Sequence, residues 1–198
     1  MRIRSISLYP VRIRLKKPFV ISLGPLTHAE NVFVRMDSED GHTGWGECSP
    51  FRTIHGETME TCVSVGKELA GKILQEQPPT PELLLSCMDR IFHGNTSIKS
   101  AYDMAFFDLL ARKAELPLYR FLGASDKRLL QTDYTVSLGS IEEMEHDARS
   151  IIAEGFQIIK VKLGGVPEED IARVKRIREV VGNSLPIRID ANQGWDLP

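Results

Sequence analysis

The sequence predicts an α+β domain followed by the first part of a β/α barrel. Three observations carry this. Apolar residues alternate over residues 1–50, helix-spaced apolar positions dominate residues 57–115, and beyond residue 130 strand and helix patterns take turns. Ile3, Ile6 and Leu8, then Val11, Ile13 and Leu15, give two alternations around Pro10 with one slip of phase. Period-two spacing of this kind reads as strand. Asn31–Met36 is a further strand. Asp37-Ser38-Glu39-Asp40-Gly41 suits a hairpin turn leading into Thr43–Cys48. A small antiparallel sheet is expected here.

Residues 57–75 carry Met59, Cys62, Val63, Val65, Leu69, Ile73 and Leu74 at helical spacing. Pro78, Pro79 and Pro81 interrupt the pattern, and Leu83–Phe92 resumes it. Residues 97–115 form the strongest helix, with Ile98, Ala101, Tyr102, Ala105, Phe106, Leu109 and Ala111 on its inner side. Thr132–Leu138 then reads as a strand. Ser140-Ile141-Glu142-Glu143 is a capping box, opening a helix with Ile141, Met144, Ala148, Ile151 and Ile152 inward and Gly155 at its end. Gln157–Leu163 is the next strand. A helix starting near Pro167 places Ile171, Val174, Ile177 and Val181 inward and stops at Gly182, before the strand Pro186–Asp190. Such a β-α-β-α-β order builds a parallel sheet with right-handed crossovers. A boundary is expected near Ala124-Ser125-Asp126-Lys127, giving a first domain over 1–125 and the start of the barrel over 126–198. A β/α barrel needs eight strands and typically ~250 residues. The chain is therefore expected to be the N-terminal portion of a longer protein.

The composition narrows the class. With 25 basic and 27 acidic residues the net charge is −2. This argues against a nucleic-acid surface, which shows a clustered basic excess. No apolar run approaches the ~20 residues that span a bilayer. Cys48, Cys62 and Cys87 are odd in number and widely spaced, without a Cys-x-x-Cys pair. Reduced thiols in a cytoplasmic protein are expected.

Two short motifs could carry chemistry. Lys160-Val161-Lys162 closes one strand of the β/α part, and Asp190-Ala191-Asn192 closes the next. Alternation puts Lys160 and Lys162 on one face, and Asp190 and Asn192 on another. Two neighbouring ammoniums repel, and repulsion and burial both favour the neutral amine, the form that acts as general base. A half-exposed strand with solvated lysines gives the same pattern. Asp190-Ala191-Asn192-Gln193-Gly194 also fits a plain turn. Parallel sheets covered on both faces, and strand ends that build barrel active sites, favour the chemical reading. Gly164-Gly165 lacks phosphate-loop spacing and is read as a flexible turn. Asp103 and Asp108 are read as structural, and the segment Phe51–Gly56 as a loop.

At these residues the chain resembles the enolase superfamily, in its muconate-lactonising-enzyme subgroup, and within it the dipeptide epimerases of the L-Ala-D/L-Glu epimerase kind. The matching segments are Gly44–Glu47, Ala101–Leu109, Pro117-Leu118, Leu122-Gly123, Thr132–Ser137, Lys160-Val161-Lys162 and Asp190–Trp195. The resemblance implies a capping domain over a modified (β/α)7β barrel, Mg²⁺ as cofactor and an isomerase activity. It makes Lys162 the base on one face of the substrate's α-carbon. Lys160 would favour the neutral form of Lys162 and contact the substrate carboxylate. Asp190 would be a metal ligand and Asn192 a supporting residue behind it. Two further metal carboxylates and a second lysine are expected after Pro198. Thr135, Phe19 and Ile54 would line the substrate. Phe19–His28 is the capping loop, and it carries no Arg or Lys between Val20 and His28. A cation there would pair with a glutamate side chain, so an L-Ala-L-X dipeptide with hydrophobic X is expected. N-acylamino-acid racemase, o-succinylbenzoate synthase and muconate cycloisomerase are the alternatives on the same scaffold. A non-catalytic fragment or scaffold is the alternative of another class. The partner is expected to be a small molecule, not nucleic acid or membrane, and the assembly a homo-oligomer.

Overall fold

Val32, Val34 and Met36 alternate with more accessible neighbours, and all three are fully buried. They lie on the middle strand of the first sheet. The computed structural model describes residues 2–196. Its first strands are β1 (Ile3–Ile21), β2 (Gly24–Ser38) and β3 (Thr43–Cys48), in the order β1-β2-β3. β2 and β3 are antiparallel, with Val32 opposite Cys48 and Asp37 opposite Thr43. The expected turn between them is present, with Gly41 at φ 90°.

β1 departs from the sequence expectation. It runs through Pro10 unbroken, because Pro10 lies on an edge strand, where a residue without an N–H is tolerated. The expected loop Phe19–His28 is instead the tip of a β-hairpin, with a two-residue turn at Ser22-Leu23 and Gly24 at φ 112°. Contacts divide the chain into two compact units, Met1–Ile13 with Ala29–Lys127, and Arg14–His28 with Arg128–Pro198. The hairpin tip therefore belongs to the second unit.

In the first unit the sheet is followed by α1 (Arg52–His55), α2 (Met59–Glu76), α3 (Pro81–Ile91), α4 (Thr96–Lys113) and α5 (Leu118–Phe121). Thr58 and Thr61 form a capping box at the start of α2, and Thr80 caps α3 ahead of Pro81. Ile98, Ala101, Tyr102, Ala105, Phe106 and Leu109 of α4 are buried in the core. Gly44 and Gly46 let β3 lie directly on α4: a Cβ on Gly46 would stand 1.9 Å from the Ala101 carbonyl oxygen, and one on Gly44 2.1 Å from that of Ala105. Asp108 is structural, accepting from the Trp45 backbone N–H at 2.9 Å.

The second unit holds β4 (Tyr134–Val136), α6 (Ile141–Ala153), β5 (Ile159–Lys162), α7 (Pro167–Val181) and β6 (Ile187–Asp190). The strands are parallel in the order β4-β5-β6. The Ser140–Glu143 capping box opens α6 as expected. Val136, Ile159 and Val161 pack with Met144, Ala148, Ile151 and Ile177 on the helix-covered face. One expectation fails here: Ile171 is 55% exposed. It lines an open, largely apolar recess of about 880 Å³ with Ile189 and Trp195, so the inward stripe of α7 is narrower than its period suggested. No helix among the described residues is long and apolar enough to cross a membrane.

Candidate active site

Strand register aligns the polar side chains of the second unit in rows. Thr135 pairs with Lys160, Lys160 with Arg188, and Lys162 with Asp190. These positions share one parity, opposite to Val136 and Val161 in the core. The first row is braced by Arg188, whose guanidinium donates to Asp133 Oδ2 at 2.7 Å.

The second row converges on one carboxylate. Lys162 is only 5% exposed. Its Nζ donates to Asp190 Oδ2 at 2.8 Å and to Asn192 Oδ1 at 2.7 Å. Lys160 Nζ lies 2.9 Å from the same Asp190 Oδ2. The carboxylate thus sits between the two ammoniums and offsets the repulsion that sequence alone suggests. Asp190 Oδ1 accepts from the Asn192 backbone N–H at 2.9 Å. Asn192 and Gln193 both have positive φ, 45° and 64°, which turns the chain so that the Asn192 side chain returns to Lys162. Hydrogen bonds from Lys160 and then Lys162 hold the Asp190 carboxyl far below the usual range, against a smaller upward push from burial. It is therefore ionised throughout the physiological range.

The hairpin tip closes one side. The Phe19 ring centroid lies 5.6 Å from Lys162 Nζ, a cation–π contact. Val20 O accepts from Leu138 N at 3.1 Å, just after β4. Ser22 Oγ donates to Asn192 O at 2.8 Å, just after β6. Lys17 pairs with Asp147 on α6 at 2.7 Å.

The structure thus gathers Lys160, Lys162, Asp190, Asn192 and Phe19, with Thr135 beside Lys160 in the ladder. Ile54 lies on α1 of the first unit, where it is 52% exposed. The expected flexible turn at Gly164-Gly165 is instead pinned. Both amides donate to Asp170 Oδ2, at 2.9 and 3.1 Å. Sequence reasoning missed Asp170, Ser22, Trp195 and the Asp133–Arg188 pair. The one signal for Asp170 was an acid in the first turn of a helix shortly after two glycines.

A hard divalent cation takes oxygen ligands. Asp190, ionised and partly open, fits that donor type. Among the described residues no group of three or more His, Cys, Asp or Glu could hold a metal ion.

Against known proteins, residues 3–123 match the mandelate racemase / muconate lactonizing enzyme N-terminal domain. Residues 143–198 match the enolase C-terminal domain-like family. The chain belongs to the mandelate racemase / muconate lactonizing enzyme family. It is 49% identical over 197 residues to a D-Ala-D/L-Ala epimerase of Cytophaga hutchinsonii, covering 100% of this chain and 54% of that protein. It is 38% identical over 206 residues to the L-Ala-D/L-Glu epimerase of Bacillus subtilis, covering 98% of this chain and 54% of that protein. A crystal structure of a Cytophaga hutchinsonii dipeptide epimerase, complexed with Mg and D-Ala-L-Val, superposes with a TM-score of 0.95 at 49% identity, over 99% of this chain and 53% of that one. The chain spans about half the length of the curated relatives it matches. Membership of the mandelate racemase / muconate lactonizing enzyme family bears out the enolase-superfamily resemblance and the predicted fold class, a capping α+β part followed by opening barrel strands.

Proposed function

We propose that the full-length protein is a Mg²⁺-dependent dipeptide epimerase. It moves a proton on and off the α-carbon of the second residue of an L-Ala-L-X dipeptide, with X hydrophobic. The observation that carries this reading is the buried Lys162 Nζ, aimed by Asn192 and Asp190 at the end of a barrel strand. Epimerases at 49% and 38% identity support it. In this reading residues 1–125 form the cap and residues 126–198 the beginning of the catalytic barrel.

Lys162, as the free amine, accepts the α-proton. Asn192 Oδ1 and the Phe19 ring then stabilise the ammonium and keep Nζ pointed at one face of the substrate carbon. Lys160, the more open of the two lysines, offers its charge to the substrate carboxylate. Asp190 is the metal ligand, with Asn192 behind it. Mg²⁺, when bound, supplies the positive charge that stabilises the substrate carboxylate as the α-proton leaves. Proton return on the opposite face is assigned to a second lysine outside the described residues. Thr135 and Phe19 complete the substrate contacts of the second unit. The absence of Lys and Arg between Val20 and His28 supports an apolar X. The reading also expects a cytoplasmic homo-oligomer.

The test is α-proton exchange in D₂O with Mg²⁺ and L-Ala-L-Val or L-Ala-L-Leu, followed by NMR. Exchange at the second residue, with a diastereomer appearing, is the expected result. Lys162→Ala is expected to slow it ~10²–10⁴-fold, the usual reach of a general base. A clear preference for L-Ala-L-Glu would overturn the hydrophobic assignment. No exchange with any dipeptide would overturn the activity and favour the acylamino-acid and succinylbenzoate readings.

A further inference from the structure

Asp170 is 2% exposed and touches none of the groups assigned above to the reaction. Three donors converge on its Oδ2: the backbone N–H groups of Gly164 and Gly165, at 2.9 and 3.1 Å, and the Trp195 indole Nε1 at 2.9 Å. Its Oδ1 accepts from Arg173 Nη1 at 3.0 Å. Arg173 in turn donates through Nε to the Gly139 carbonyl at 3.2 Å. Gly139 follows β4, Gly164 and Gly165 follow β5, and Trp195 follows β6. One buried ion pair on α7 therefore reaches the segments that leave all three parallel strands at their C-terminal ends.

Those segments also meet directly. A Cβ on Gly164 would lie 2.4 Å from the Ala191 carbonyl oxygen, and one on Gly194 2.5 Å from the Gly164 carbonyl oxygen. Lys162 is two residues before Gly164, and Asn192 three before Trp195. A shift of either segment is thus passed to Nζ of Lys162 and to the acceptors that aim it. Misplacing a reacting group by about 1 Å can cost ~100-fold in rate. Three N–H groups on one oxygen also call for an anion, since charge-assisted bonds are the strong ones.

We infer that Asp170, with Arg173, is a positioning pair that sets the mutual placement of the three strand mouths and so holds Lys162 on the substrate's α-carbon. The inference rests on the dipeptide reading for its kinetic consequence, not for its structural one.

The test uses the full-length protein and the near-isosteric Asp170→Asn. An amide can present its oxygen to the three donors only by turning its NH₂ toward Arg173, so the pair is broken in either orientation. The expected result is a kcat reduced about 10–100-fold with KM within about 3-fold, the pattern of a misplaced base rather than of lost binding. Amide hydrogen exchange should rise at least about 10-fold in residues 163–166 and 191–196 while the first unit keeps its protection. Arg173→Lys, which loses the link to Gly139, should cost less, and the double variant should lose less than the product of the two single losses.

A folded Asp170→Asn protein with kcat within about 2-fold of the parent and unchanged exchange in both segments would overturn the inference. So would exchange rising uniformly over the chain, the mark of a merely structural role. If the parent turns over no dipeptide, the activity reading fails on its own. The pair is then decided by exchange, with localised loosening supporting it and no loosening overturning it.

Discussion

An ammonium held by two oxygens and an aromatic face has few places to go. Lys162 has both, in Asp190, Asn192 and Phe19. Asn192→Ala removes the 2.7 Å acceptor and leaves Asp190 to hold Nζ with Lys160 competing for the same oxygen. If the proposed dipeptide activity holds, a kcat lower by about 10-fold, with KM less affected, is expected from the loss of one charge-assisted bond, and steady-state kinetics with L-Ala-L-Val check it. Phe19→Leu keeps the apolar volume but removes the π face, worth ~0.5–2 kcal/mol at such a site. A fall in kcat/KM of about 2- to 30-fold is the corresponding expectation. That Lys160 and Lys162 share a face was legible in the sequence because it rests on period two within a strand, whereas the roles proposed for them and for Asp190 came from the family resemblance. Asp170 was not legible. Its partners lie 5, 6 and 25 residues away, and only tertiary structure brings them to one oxygen.

At the scale of elements, the same distinction separates what could be read from what could not. The capping box at Ser140 and the α4 stripe depend on neighbours within a turn or two, and both appear where their residues place them. The length of β1 depends on which strand is at the sheet edge. Pro10 alone does not tell that, and Phe19–His28, which reads as a loop, forms the tip of a hairpin. Gly46 shows the tertiary side of an element. Its missing Cβ makes room for the Ala101 carbonyl of α4, which is backbone and cannot rotate away. Gly46→Ala is expected to destabilise the fold by about 3 kcal/mol, at the upper end of overpacking costs. Gly71, inside α2, has nothing within 4 Å of an added Cβ. Gly71→Ala should therefore stabilise by about 0.5–1 kcal/mol through helix propensity. Urea unfolding of the two variants measures both signs; a destabilising Gly71→Ala would contradict the open space seen at that turn.

For the whole molecule, the buried and half-buried carboxylates predict how stability responds to acid. Burial pushes the Asp170 carboxyl up, but the Gly164 N–H, the Trp195 indole, Arg173 and the Gly165 N–H together hold it below its ordinary value. Asp190 is depressed by Lys160 and Lys162. In the first unit burial likewise opposes Asp37, and its bonds to Thr43 and Arg35 prevail to lower it. A carboxyl depressed in the folded state contributes stability that is fully present above its unfolded value of ~3.9 and is lost as pH falls through the folded value. In that window the unfolded chain binds more protons, so stability must rise with pH. The free energy of unfolding should hold nearly constant from pH 7 to pH 5 and fall steeply below about pH 4. Asp170→Asn removes one of these linked protons. It should lower the stability of the second unit at pH 7 and flatten the acid limb of that unit's unfolding, so that the two curves draw together as pH falls. Urea midpoints of parent and variant at a series of pH values decide this. Curves that stay parallel into the acid range would mean that Asp170 binds its proton equally well folded and unfolded, contrary to the four donors around it.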